Sequence, residues 1–121
     1  MTIRGIRGAT TIKVDTKEEV LSATHELLDA LFEANPDLHA DDIASTLFTT
    51  TEDIASTFPA LAARQMGWDL VPMMCAREIP VPDSLQMCIR VLIHWNTDKK
   101  QSTITHIYLR DAANLRPDLI K

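Results

Sequence analysis

The run Met87-Cys88-Ile89-Arg90-Val91-Leu92-Ile93-His94-Trp95 constrains the fold of this chain more than any other stretch. Its β-branched and apolar residues predict a strand. A period of two puts Met87, Ile89, Val91, Ile93 and Trp95 on one face, and Cys88, Arg90, Leu92 and His94 on the other. The first face is wholly apolar and is a core face. Arg90 therefore points into a different space, and burying an unpaired guanidinium is costly, so it must meet an anion. The residue types offer two sources. One is a structural salt bridge to Glu78 or Asp69 across the sheet. The other is an anionic substrate.

A second arginine stands in the opening octet, Ile3-Arg4-Gly5-Ile6-Arg7-Gly8-Ala9-Thr10. Residues 2–14 read as a strand. Glycines near Arg7 let a ligand or another backbone approach, and a guanidinium's forked donors suit a carboxylate. Thr16-Lys17-Glu18-Glu19 is a capping box. Behind it Val20, Ala23, Leu27, Leu31 and Ala34 recur at helical spacing, and Asn35-Pro36 ends the helix. Residues 42–50 predict a strand. Pro59 to Met66 predicts a short helix, with Pro59 at its first position and Gly67 past its end. Trp68 to Met74 predicts a third strand and Thr103 to Leu109 a fifth, the latter carrying Ile104, His106 and Tyr108 on one face. From Asp111 the tail is short and turn-rich, and its last residues are expected to be mobile. The order β-α-β-α-β-β-β describes one mixed α/β domain over residues 1–121, a five-stranded sheet with its helices on one face.

Composition narrows the partners. The 121 residues carry 12 Lys and Arg against 17 Asp and Glu, a formal charge of −5. No basic block is present, so a nucleic-acid footprint is not expected. No apolar run reaches the roughly 18 residues of a membrane span. Nothing resembles a secretory leader, and Cys75 and Cys88 read as reduced thiols, so a cytoplasmic location is expected. His25, His39, His94 and His106 lack ligand spacing, and neither metal nor cofactor is expected. An acidic chain that still places arginines among apolar residues is suited to a small anion.

Taken singly, the other candidates are ordinary. Tyr108 reads as a half-buried tyrosine, Glu78 as a loop carboxylate, Cys75 as a small core residue and Arg64 as a solvated charge. Together they assemble arginines, a tyrosine and a carboxylate with no obvious base or nucleophile.

In combination these motifs resemble the small monofunctional chorismate mutases of the α/β type. The resemblance rests on the opening octet, Phe58-Pro59-Ala60 with Arg64, Gly67-Trp68, Val71-Pro72 leading to Cys75 and Glu78, Cys88-Ile89-Arg90-Val91, His106-Ile107-Tyr108-Leu109 and Leu115-Arg116-Pro117-Asp118-Leu119. It implies a homotrimeric pseudo α/β barrel with active sites between subunits, converting chorismate to prephenate in aromatic amino-acid biosynthesis. It further implies that Arg90 donates to the ether oxygen and a carboxylate. Glu78 accepts from the ring hydroxyl, and Arg7 and Tyr108 hold the side-chain carboxylate. Cys75, with Met74, Ala76 and Arg77 of the same segment, lines the ring. Phe58, Ala60, Arg64, Leu115 and Arg116 form the part of the cleft supplied by the neighbouring subunit and the tail. Leu61 stands where some relatives have lysine, and the link from Arg64 to Trp68 is a residue shorter than in some.

Such a rearrangement moves no proton and forms no covalent intermediate, so the missing base and nucleophile fit it. Two other classes use the same arginines: a non-catalytic trimeric binder of an aromatic-pathway acid, and a trimeric imine or enamine deaminase.

Overall fold

The computed structural model describes residues 2–115. Its five strands are β1 (Ile3–Thr11), β2 (Ile43–Thr50), β3 (Met73–Arg77), β4 (Cys88–Asn96) and β5 (Ile107–Tyr108). They form one mixed sheet in the order β3-β2-β4-β1-β5. β4 is antiparallel to β1 and β2, while β3 runs parallel to β2 and β5 parallel to β1. β1 and β2 are thus parallel to each other on either side of β4. Helix α1 (Lys17–Ala34) carries the chain between them, and α2 (Ala60–Gln65) makes the crossover from β2 to β3.

Both helices pack on the face predicted to be core. Leu27, Leu28 and Leu31 of α1 and Ala60 and Ala63 of α2 join Ile6, Phe48, Val91, Ile93 and Trp95 of the sheet in one buried cluster. Phe32 meets Trp68 edge-on, with ring centroids 5.7 Å apart, a favoured aromatic geometry. Gly8 belongs to this packing. A Cβ there would lie 3.0 Å from Leu31, 3.1 Å from Val91 and 3.2 Å from Leu27. The sequence setting allows a ligand or another backbone to approach; the space beside Gly8 admits side chains of helix α1 and of Val91.

α1 begins as expected. The Thr16 hydroxyl accepts from the Glu19 amide at 3.1 Å. The other half of the capping box is not made, because the Thr16 amide donates to Val14 and the Glu19 carboxylate faces Arg110 at 3.9 Å. At the helix end Asn35 does more than stop the chain. Its side chain donates to the carbonyls of Leu31 and Thr105 and accepts from the Thr105 amide.

Several strand boundaries differ from the expected ones. β1 ends at Thr11, short of residue 14. β3 begins at Met73, five residues later than predicted, because Trp68 is buried against the helices and the ladder with β2 opens only with Thr46 donating to the Pro72 carbonyl. Met87 lies outside β4 at φ 51°, a left-handed conformation uncommon for such a residue. Its amide is held there by both carboxylate oxygens of Asp53, at 3.1 and 3.0 Å. β5 keeps only two of the seven expected residues. Ile104 joins the helix-side core while Tyr108 packs with Ala9, Cys88 and Ala112, so the two do not share a face.

Asp15 fastens the loop that leads to Phe58. Its carboxylate accepts from the amides of Ala55 and Ser56 at 2.9 and 3.1 Å. The Ser56 side chain, then the Ala55 amide, hold its pKa below the ordinary aspartate value. A depressed folded pKa contributes stability that is present above the unfolded pKa and lost as pH falls through the folded one. The stability difference between the wild type and Asp15→Asn should therefore shrink below about pH 4. Denaturation curves at several acidic pH values test this, and a pH-independent difference would count against it.

Candidate active site

The helices leave one sheet face open, and the central strand β4 puts Arg90 in the middle of it. Its register partners are Ala9 on β1 and Thr49 on β2. The single methyl of Ala9 leaves room over the guanidinium. Two residues along, Arg7 and Leu47 flank Leu92 in the same way.

Glu78 is brought in by the ladder. Its amide donates to the Thr50 carbonyl at 2.9 Å, extending the β2–β3 pairing by one residue. Its carboxylate then turns back over the sheet. Oε2 accepts from the Thr49 hydroxyl and lies 3.7 Å from Arg90 Nε. That separation makes an ion pair but not a hydrogen bond. Arg90 Nε is buried and, among the described residues, has no hydrogen-bond partner. The two sources of anion weighed for Arg90 are thus compatible. Glu78 faces it, and a donor remains for something else. Asp69 lies elsewhere, beside Trp68 and Leu70.

Tyr108 completes the group. It is 9% exposed, and its hydroxyl is buried without a hydrogen-bond partner among the described residues. Arg7, Ala9, Thr49, Glu78, Arg90 and Tyr108 line one cavity of about 270 Å³. A wider groove of about 520 Å³ shares Glu78 and Arg90 and runs on along the loop from Ile79 to Gln86. A buried donor left unpaired costs about 1–3 kcal/mol. Two of them on residues that line one cavity favour a ligand rich in acceptors. Cys88, also on the open face, is fully buried, and burial pushes its thiol up against the opposing effect of Arg90. It is an inert packing residue.

The other expected site residues do not join this cavity within one chain. Cys75 points to the helix side and packs against the main core, because it is the register partner of Phe48. With Phe58, Ala76 and Arg77 it borders a separate depression of about 460 Å³. Arg77 is occupied as a loop staple, donating to the Thr50 hydroxyl and to the carbonyls of Thr51 and Ile54. Met74 is exposed on the open face, and Ala60, the first residue of α2, is buried in the main core. Arg64 is exposed and borders Trp68 and Asp69. Leu115 packs against the Tyr108 cluster. Arg116 lies outside the described residues. Sequence reasoning missed Thr49, whose role depends on a register no local pattern announces.

Among the described residues, no group of three or more His, Cys, Asp or Glu side chains is placed to hold a metal ion. No described helix is long and apolar enough to cross a membrane.

Two guanidiniums, a phenol and a carboxylate thus surround one small cavity, an arrangement of fixed charges and hydrogen-bonding groups. Comparison with known proteins shows the family of the chain. The family model "Chorismate mutase type I" matches residues 3–119. Chorismate mutase AroH of Thermus thermophilus is 53% identical over 117 residues, covering 97% of this chain and 96% of that protein. Chorismate mutase AroH of Bacillus subtilis is 44% identical over 120 residues, covering 98% and 94%. A solved chorismate mutase from Clostridium thermocellum superimposes with a TM-score of 0.86 at 49% identity, covering 89% of this chain and 96% of that one. The chain belongs to the type I chorismate mutase family, a family of isomerases.

Proposed function

We propose that this chain rearranges chorismate to prephenate in the cavity between Arg7, Glu78, Arg90 and Tyr108. The observation that carries the reading is the pair of buried donors, Arg90 Nε and Tyr108 Oη, unpartnered among the described residues and carried by two residues that line one cavity. Chorismate has two carboxylates and an ether oxygen, and all are acceptors. As its C–O bond stretches, that oxygen gains negative charge. A guanidinium fixed beside it stabilises the transition state more than the ground state. Arg7 and Tyr108 hold the enolpyruvyl carboxylate, which keeps the reacting carbons in a near-attack arrangement. Glu78 complements the ring, where positive character develops, and Thr49 holds that carboxylate in place.

The assembly is a homotrimer with the cleft completed by a neighbouring subunit. Support comes from the open face, where Met74 is 70% exposed, and from Phe58, also 70% exposed on its loop. Phe58, Arg64, Leu115 and Arg116 are assigned to the cleft on the resemblance alone. The location is cytoplasmic. Gel filtration with light scattering tests the trimer. Loss of chorismate absorbance, with prephenate identified as product, tests the reaction. Tyr108→Phe should raise KM about tenfold, the effect of one hydrogen bond to a charged group. Unchanged KM would remove Tyr108 from the clamp.

A further inference from the structure

Beyond its short pairing with β5, the outer edge of β1 bonds to several side chains. β5 matches only Gly8 with Ile107 and Ala9 with Tyr108. Beyond it, both backbone groups of Gly5 bond to the Gln101 amide, at 3.0 and 2.6 Å. On the far side the Leu109 amide donates to Ala9, and the Arg110 guanidinium donates to the Thr11 carbonyl at 2.8 Å. Between Gly5 and the two-residue ladder, the Arg7 amide donates to His106 Nδ1 at 2.9 Å.

We propose that His106 is a positioning residue, its Nδ1 standing in for a ladder carbonyl and setting the separation of Arg7 from Tyr108. An acceptor role leaves Nδ1 bare and puts the neutral ring's proton on Nε2. The bond joins the residue bearing the guanidinium to one lying two positions before the phenol. A two-residue strand has little pairing of its own to hold register; Asn35 holds the Thr105 backbone on one side and the Leu109 amide bonds Ala9 on the other, and the His106 bond is the side-chain link to Arg7 between them. An apolar residue at 106 would strand a half-buried amide and remove the side-chain link between β1 and the start of β5. The inference rests on the proposed roles of Arg7 and Tyr108.

Geometry selects the test. The Oδ1 of asparagine occupies the position of Nδ1, whereas the Oε1 of glutamine reaches one bond further. Steady-state kinetics on chorismate and hydrogen exchange at the Arg7 amide are measured for His106→Asn, His106→Gln and His106→Leu. His106→Leu should lower kcat/KM about fivefold to tenfold, chiefly through KM, the size of effect one net hydrogen bond supplies, and should speed Arg7 amide exchange. His106→Asn should restore both readouts and His106→Gln neither. Should His106→Leu fail to fold, the Asn and Gln variants decide alone. Equal behaviour of those two, or an Arg7 amide that stays protected in His106→Gln, would overturn the proposal. Arg7→Ala and Tyr108→Phe serve as controls. If neither raises KM, the clamp itself is wrong, whereas the exchange data still judge the bond.

Discussion

Arg90→Ala is expected to lower kcat/KM by about two to three orders of magnitude, equivalent to ~3–4 kcal/mol, the worth of a single preorganised donor at a developing oxyanion. Arg90→Lys should recover little of this, because a point charge cannot reproduce the planar fork or supply a donor at Nε. The competing account is structural. Removing Arg90 also leaves Glu78 without its facing cation, and the loss of activity could then reflect a damaged fold. Magnitudes separate the two. The side chains of Arg90 and Glu78 are 31% and 26% exposed and 3.7 Å apart, and partly solvated pairs contribute about 1 kcal/mol or less. Folding stability in denaturant should therefore fall much less than transition-state stabilisation. Near-wild-type turnover in Arg90→Ala would falsify the assignment. A stability loss as large as the kinetic one would hand Arg90 to the fold.

Gly8→Val is expected to destabilise the protein by about 3 kcal/mol, the upper end of overpacking costs. The argument is steric. Even a single Cβ would approach Leu31, Val91 and Leu27 to 3.0–3.2 Å. The leucines can yield by turning, but Val91 is β-branched and stiff. Valine adds two further carbons to the same space. Gly5→Ala is the matched control, since its Cβ would meet only Leu92 at 3.7 Å, an ordinary contact. Denaturation midpoints at one protein concentration compare the two. Equal stability of Gly8→Val and wild type would mean that α1 does not press on the sheet as described.

Much of the architecture was legible because it rests on local periodicity. The helix from Thr16 to Asn35 follows from spacing and caps, and the core face of β4 from strict alternation. What went unread is pairing between distant segments. Nothing near Trp68 announces that β3 waits until Met73, because its start depends on an acceptor from Pro72 to Thr46 on another strand. The short β5 is similar. Thr103 to Leu109 alternates well enough for a strand, yet its ladder is replaced by Gln101, His106 and Arg110 side chains bonding to β1. Residue types singled out Arg7 and Arg90, and the family resemblance added Glu78 and Tyr108; all four line one cavity. Neither singled out Thr49, and the chain's own geometry turned Cys75 towards the core and Arg77 onto a loop.

Sequence alone determined that Arg90 must leave the apolar face of its strand and find an anion, since alternation and the cost of an unpaired charge both act locally. Only the tertiary structure decided which acid faces it, and that this acid leaves Nε unbonded. Register across three strands sets those distances, and register belongs to the whole sheet, where Ala9, Arg90 and Thr49 come level although they are far apart along the chain.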